Sequence, residues 1–223
     1  MLERFFHLYL EHPLELTHDL ATVIPIVVGL FYANPKRKEI RFLLIYFVFL
    51  FFRNLISNIY ATYRINNIFL YNFFNFIEII GFGLTYYFNI NKSNFKFYIL
   101  IGSILVIIIN VFFWETNEFS AGILTLTRIF GLSIALFYFV ELLAEMKVKN
   151  ILKHSLFWVS SGIIIHSTGT ILIFLFSKII LSTRAAPDIF FAYWNFILIM
   201  YIVFCLFVSV GFWVSKYDED NYA

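Results

Sequence analysis

Seven long apolar runs alternate with short polar segments along the chain. They lie at about Leu20–Ala33, Phe42–Tyr63, Ile68–Ile90, Phe97–Trp114, Phe119–Leu143, Leu156–Ile180 and Ile189–Val214. A bilayer core about 30 Å thick is crossed by roughly 20 apolar residues in a helix. The pattern therefore predicts an all-α, polytopic membrane protein with seven transmembrane helices. The first run is the shortest, and its helix should begin nearer Leu14. Pro25 inside that helix predicts a kink, because proline removes a backbone donor and crowds the preceding turn.

The segments between the runs carry most of the charge. Alternate loops and the tail collect Lys36, Arg37, Lys38, Arg41, Lys92, Lys96, Lys147, Lys149, Lys153 and Lys216, while the opposite side holds only Arg4, Arg64, Lys178 and Arg184. Short loops rich in Lys and Arg stay in the cytoplasm, so the N-terminus is expected outside and the C-terminus inside. Three regions follow. Residues 1–13 form an interfacial segment in which "LERFFHLYL", Leu2–Leu10, reads as a short helix on the outer surface ended by Pro13. Residues 14–214 form the seven-helix domain. Residues 215–223 form a short cytoplasmic tail, too small to fold into an output module, so any signal passes to a separate cytoplasmic partner.

Composition agrees with a lipid environment. The chain is 61% hydrophobic and 13% charged, which leaves too few charges to cover a soluble surface. Membrane lipid is thus an expected partner and nucleic acid is not; an oligomer stays open. The single cysteine, Cys205, excludes a disulfide framework within the chain. The N-terminus lacks a basic start and a small-residue cleavage site, so the first span is expected to act as the targeting element. Spans one to three and five to seven could be halves around a lone fourth, as in SWEET-type sugar transporters. Those carry a set of intramembrane prolines, and here only Pro25 lies within a run.

The stretch "IYATYRINNIFLYNFFNFIEII", Ile59–Ile80, interrupts the apolar pattern with Asn72, Asn75 and Glu78 inside a span. Charged groups at depth cost several kcal/mol and point into the bundle or a wet cavity. With the assigned directions, Arg53, Asn54 and Asn58 of the second run fall at mid to outer depth. So do Tyr71, Asn72, Asn75 and Glu78 of the third and Arg128 of the fifth. His166 of the sixth and Tyr193 and Asn195 of the seventh join them. Tyr71, Asn75 and Glu78 follow at helical spacing, with Asn72 expected on the same face. These residues are the candidate ligand pocket, opening outward. Arg53 is expected to pair with Glu78, since both lie near mid-depth on adjacent spans. Two buried arginines against one buried carboxylate leave a surplus cation, which suits a small anionic ligand. The inner half is expected to be poorer, with Glu141, Glu145 and Ser160 near the cytoplasmic surface. The rival reading is that these polar groups only bond neighbouring helices, at about 0.6 kcal/mol each.

No catalytic constellation can be assembled, so the chain does not read as an enzyme, and no cofactor or metal is expected. His12, His18, Asp19 and His166 follow no zinc-ligand spacing of the kind a seven-helix ceramidase or adiponectin-receptor hydrolase needs. The last run lacks the lysine a retinal Schiff base requires.

Two segments resemble a family of short, seven-helix bacterial membrane proteins of unknown function. "NNIFLYNFFNFIEIIGFGLTYYF" is similar to its third-span signature, an Asn-rich turn followed by an aromatic-polar stretch and a Glu. "LKHSLFWVSSGIIIHSTGTILIFLF" is similar to its sixth span, with His166 where that family has a tyrosine. The resemblance implies roles for Tyr71, Asn75, Glu78, Phe157, Trp158, Gly162 and Gly169. The layout is in turn similar to the membrane modules of bacterial sensors coupled to histidine kinases. The expected function is a seven-helix sensor or signalling protein of the bacterial cytoplasmic membrane. The alternative is a small-solute transporter or oligomeric channel.

Overall fold

The structure, a computed structural model, describes residues 9, 10, 12–34, 36–90, 92–145, 148–181, 186–218 and 221. Its long helices are α1 (Pro13–Tyr32), α2 (Lys38–Thr62), α3 (Ile68–Asn89), α4 (Ser93–Phe112), α5 (Ala121–Glu145), α6 (Ser155–Leu175) and α7 (Pro187–Val214). All seven are long and apolar enough to cross a membrane. The chain is thus a multi-pass membrane protein built as a seven-helix bundle. The expected interfacial helix Leu2–Leu10 falls almost wholly on residues 1–8, outside the described residues.

Local chemistry sets the helix ends. Proline opens both α1 and α7, in the first turn, where its missing N–H would be unpaired anyway. The α1–α2 turn is closed by the Asn34 side chain, which accepts from the Lys36 amide at 3.0 Å. Helix α2 stops at Arg64, which has φ 57°. The Arg64 amide donates to the Ala61 carbonyl and the Ile65 amide to that of Tyr60, the paired bonds of a left-handed helix stop usually made by glycine. The sixth apolar run is broken. Helix α6 ends at Leu175, and Ser177–Ile180 forms a separate four-residue helical turn, so the single span expected over Leu156–Ile180 is shorter. Helix α1 passes through the buried Pro25 without interruption and starts at Pro13, seven residues before its apolar run.

Cross-links between helix ends define two faces. On one, Trp194 of α7 donates to Glu15 of α1, Asn58 of α2 to Asp19 of α1, and Asn72 of α3 to the Glu115 carbonyl after α4. Lys178 and Glu115 pair there at 2.8 Å, and that hydrogen bond holds the exposed ammonium pKa above its ordinary value. We call this the N-terminal face. The opposite face carries the C-terminal tail. There Asp218, with no exposed surface, accepts from His154 Nδ1 at 2.9 Å, from the Ser155 amide at 3.1 Å, and from the Ser155 hydroxyl and the Arg37 guanidinium. Tyr138 bonds the other ring nitrogen of His154, and Asn221 exchanges bonds with the backbone of Lys149 and Asn150. The tail therefore folds back into the bundle end. That face is richer in buried polar groups than the sequence suggests, because Asp218 and His154 lie outside the apolar runs.

Helices α6 and α7 approach closely, through glycine. A Cβ on Gly211 would stand 2.9 Å from Val159 and 3.0 Å from the backbone oxygen of Ser155, and one on Gly162 would stand 2.8 Å from Phe207. Small residues let membrane helices pack by direct contact where no hydrophobic drive separates them from lipid. Helix α4 differs: Asn110 is its only buried residue, and Tyr98, Leu105, Val111 and Phe112 are more than half exposed, the profile of a lipid-facing helix. Gly211→Ala should lower the thermal midpoint in detergent, by the ~1–3 kcal/mol of an overpacked core. Gly102→Ala, whose added carbon meets nothing closer than 3.9 Å, should leave it unchanged. Equal midpoints for the two variants would refute the close α6–α7 approach.

Candidate functional site

The helices enclose a cavity of about 80 Å³ in the N-terminal half of the bundle. Its rim holds the half-buried Glu15, Asp19, Asn58, Tyr71 and Trp194; its floor holds the buried Tyr46, Glu78, His166 and Tyr201. It therefore opens toward the N-terminal face. By the measure of about 10–15 Å³ per water, there is room for several waters or a molecule of a few heavy atoms.

At the floor, Arg128 of α5 grips Glu78 of α3 with both ends of its fork, Nη1 to Oε1 at 2.6 Å and Nη2 to Oε2 at 2.9 Å. Arg128 Nη1 also lies 3.0 Å from His166 Nδ1. The guanidinium donates, so that nitrogen accepts and the ring proton sits on Nε2. This corrects the expected Arg53–Glu78 pair. Both arginines have suitable depth, but depth says nothing of which way a helix is turned, and Arg128 takes both carboxylate oxygens. Arg53 instead donates through Nε and Nη2 to Asn54 Oδ1 and lies over Tyr71, 4.9 Å from the ring centroid, and Phe74, at 5.9 Å. Among the described residues no carboxylate lies within ion-pair distance of it.

The rim is built from α1. Glu15, His18 and Asp19 sit at i, i+3 and i+4, one helical face. Asp19 Oδ1 meets His18 Nδ1 at 3.0 Å, and Oδ2 accepts from Tyr9 at 2.8 Å and Asn58 at 2.6 Å. Burial, reinforced by Asp19, raises the Tyr9 phenol above its ordinary pKa. Glu15 accepts from the Trp194 indole at 3.1 Å. Asn54 reaches across to Thr22 of α1 at 3.2 Å. None of the three α1 residues counted in the sequence-based site, because they precede the first apolar run. The helix start expected near Leu14 already contained them; their spacing at i, i+3 and i+4 was the signal that would have placed them on one face.

Eight of the expected residues line the cavity: Arg53, Asn54, Asn58, Tyr71, Asn75, Glu78, Arg128 and His166. Three do not. Asn72 is buried elsewhere, donating to the carbonyls of Glu115 and Glu118 and accepting from the Ser120 amide; one residue turns a helix by about 100°, which carries Asn72 off the Tyr71–Asn75–Glu78 face toward the α4–α5 loop. Tyr193 and Asn195 are exposed for the same reason. On α7 the cavity face is Trp194, Ile197, Leu198 and Tyr201, and their neighbours in sequence point outward. Of the residues singled out by resemblance, Phe157 and Trp158 lie at the tail end of α6, where the Trp158 indole donates to Leu152. Gly162 and Gly169 pack against Phe207 and Met200 of α7.

With the rim included, three carboxylates (Glu15, Asp19 and Glu78) face two guanidiniums (Arg53 and Arg128). This cavity holds, among the described residues, no surplus cation of the kind counted from the sequence. Among the described residues no three His, Cys, Asp or Glu side chains converge to hold a metal ion.

Beneath the floor the bundle is apolar. Phe204 stacks on His166, 5.4 Å between centroids, and packs against Phe47 and Phe82; with Ile79 and Ile163 these are at most 1% exposed. Below them, Tyr86 bonds Ser160 at 2.7 Å and its ring packs on Tyr138, which leads to His154 and Asp218. Glu78, Phe82 and Tyr86 follow at four-residue steps. One stripe of α3 thus joins cavity floor, apolar layer and tail cluster. No protein-family model matches the chain, and no curated protein or solved structure does.

Glu78→Leu or Arg128→Met alone should destabilise by about 3–5 kcal/mol, since each strands a buried charge. The double variant should recover most of that loss in detergent melts. Additive losses would contradict the pairing.

Proposed function

We propose that this is a seven-helix membrane receptor of the bacterial cytoplasmic membrane. It takes a small polar ligand into the cavity from outside and signals through a separate cytoplasmic partner at the tail face. One observation carries the reading: the cavity and the buried tail cluster lie at opposite ends of the Glu78–Phe82–Tyr86 stripe. A ligand that strengthens or loosens the Arg128–Glu78 grip biases the position of α3, and with it the contacts of Tyr86, Tyr138, His154 and Asp218. Differential contact with two arrangements is what any ligand-driven switch needs. The sealed layer of phenylalanines supports a receptor over a transporter or channel, which needs a polar route onward. Ten Lys and Arg residues in the tail-side segments against four on the other support a cytoplasmic tail. The resemblance of α3 and α6 to bacterial seven-helix proteins supports the setting.

A reporter enzyme fused after Ala223 should be active only in the cytoplasm; a periplasmic readout would reverse the direction of sensing. Function is tested by thermal shift of the purified protein against small carboxylates, amines and amino acids. A stabilising compound should also change deuterium uptake over 215–218. Phe82→Ala should keep the binding and lose the change at the tail. Uptake at 215–218 that is indifferent to a bound compound would rule out signalling through the tail.

A further inference from the structure

We infer that the cavity is built for a small zwitterion, an amino acid or a betaine, with its carboxylate on Arg53 and its cationic nitrogen near Glu15 and Asp19. This rests on the ligand-site reading above and names the ligand class for it.

The charge layout carries the inference. Arg53 lines the cavity with no carboxylate partner among the described residues, and its Nη1 makes no hydrogen bond there. Glu15 and Asp19 line the same cavity and, among the described residues, have no Lys or Arg partner; Glu15 is held by a neutral indole, Asp19 by neutral hydroxyl and amide donors and the His18 ring. Among the described residues, a guanidinium and two carboxylates that make no ion pair with one another thus face one space. Glu78 and Arg128 neutralise each other and leave this dipole unchanged. A monoanion would meet Arg53 but share the space with two uncompensated carboxylates. A monocation would meet the carboxylates and Arg53. Only a ligand carrying both charges complements both ends.

The buried polar atoms at the floor agree. Arg128 Nε, a donor, and Asn75 Oδ1, an acceptor, have no partner among the described residues, and both residues are 5% exposed and line the cavity. Unpaired buried polar atoms are costly and call for a ligand or water that both donates and accepts. A carboxylate with an adjacent ammonium or hydroxyl group does so, which favours an amino acid over a betaine, whose quaternary nitrogen has no hydrogen to donate. The cavity volume of about 80 Å³ restricts the class to its smallest members.

The test is calorimetry on the full chain in lipid nanodiscs with glycine, L-alanine, L-serine, L-proline and glycine betaine, against propionate and ethylamine. At least one zwitterion should bind ~10-fold or more tightly than either singly charged compound, the discrimination expected from losing one charged hydrogen bond. Arg53→Gln should abolish that binding; the change strands no partner charge, so the fold should hold. Glu15→Gln keeps an acceptor for the Trp194 indole and removes only charge. It should weaken the zwitterion and strengthen propionate, opposite shifts that a merely structural role would not produce. Propionate or ethylamine binding as tightly as the best zwitterion would overturn the inference while leaving the ligand site standing. If none of these compounds binds, and none of the wider panel stabilises the protein, the ligand-site reading itself falls.

Discussion

A guanidinium and a carboxylate buried in an apolar bundle leave the helices that carry them little freedom. Removing two charges from water costs several kcal/mol each, and the loss is offset only by close, well-aligned contact. The fork of Arg128 on Glu78 meets that demand. It fixes α3 against α5, and the contact of Arg128 with His166 adds α6. Much else follows from that fixed point. Glu78 presents the cavity floor on one side, and the residues four and eight steps along α3 supply the apolar layer and the tail contact. Asn75, one turn before it, is left with an oxygen that nothing in the bundle pairs.

The bundle was legible in the sequence because lipid imposes the simplest of all patterns. Every backbone group must be paired within its own helix, so long apolar runs have one structural solution, and the seven helices follow the seven runs. The polar site was legible in depth but not in azimuth. Depth comes from counting residues along a known direction, and it brought Arg53, Asn54, Asn58, Tyr71, Asn75, Glu78, Arg128 and His166 to similar levels. Azimuth between helices has no local signal. Arg53 was therefore matched with the wrong end of the site, and Tyr193 and Asn195 were taken inward when each is one residue off the α7 cavity face. Glu15, His18 and Asp19 were passed over for a different reason: the helix was expected to begin near Leu14, but its polar first turns were counted with the outer loop.

The tail shows a third limit. Residues 215–223 read as a short hydrophilic end, yet Asp218 has no exposed surface and meets Arg37, His154 and Ser155. Nothing in the local sequence marks this, because its partners are 64 and 181 residues away. A charge drawn into a bundle end by such distant groups ties together the α1–α2 turn, the start of α6 and the end of α7.

The phenylalanine layer has an electrical consequence. A cavity open to one face carries the potential of that face down to its floor, so a voltage across the membrane falls mainly over the apolar layer beneath it. Moving one elementary charge through the whole field is worth about 2.3 kcal/mol per 100 mV. The short distance from Phe82 to Tyr86 thus lies where that field is steepest. The Arg128–Glu78 pair, neutral as a unit, sits at its upper edge, and the field acts on it only through any separation of its two charges.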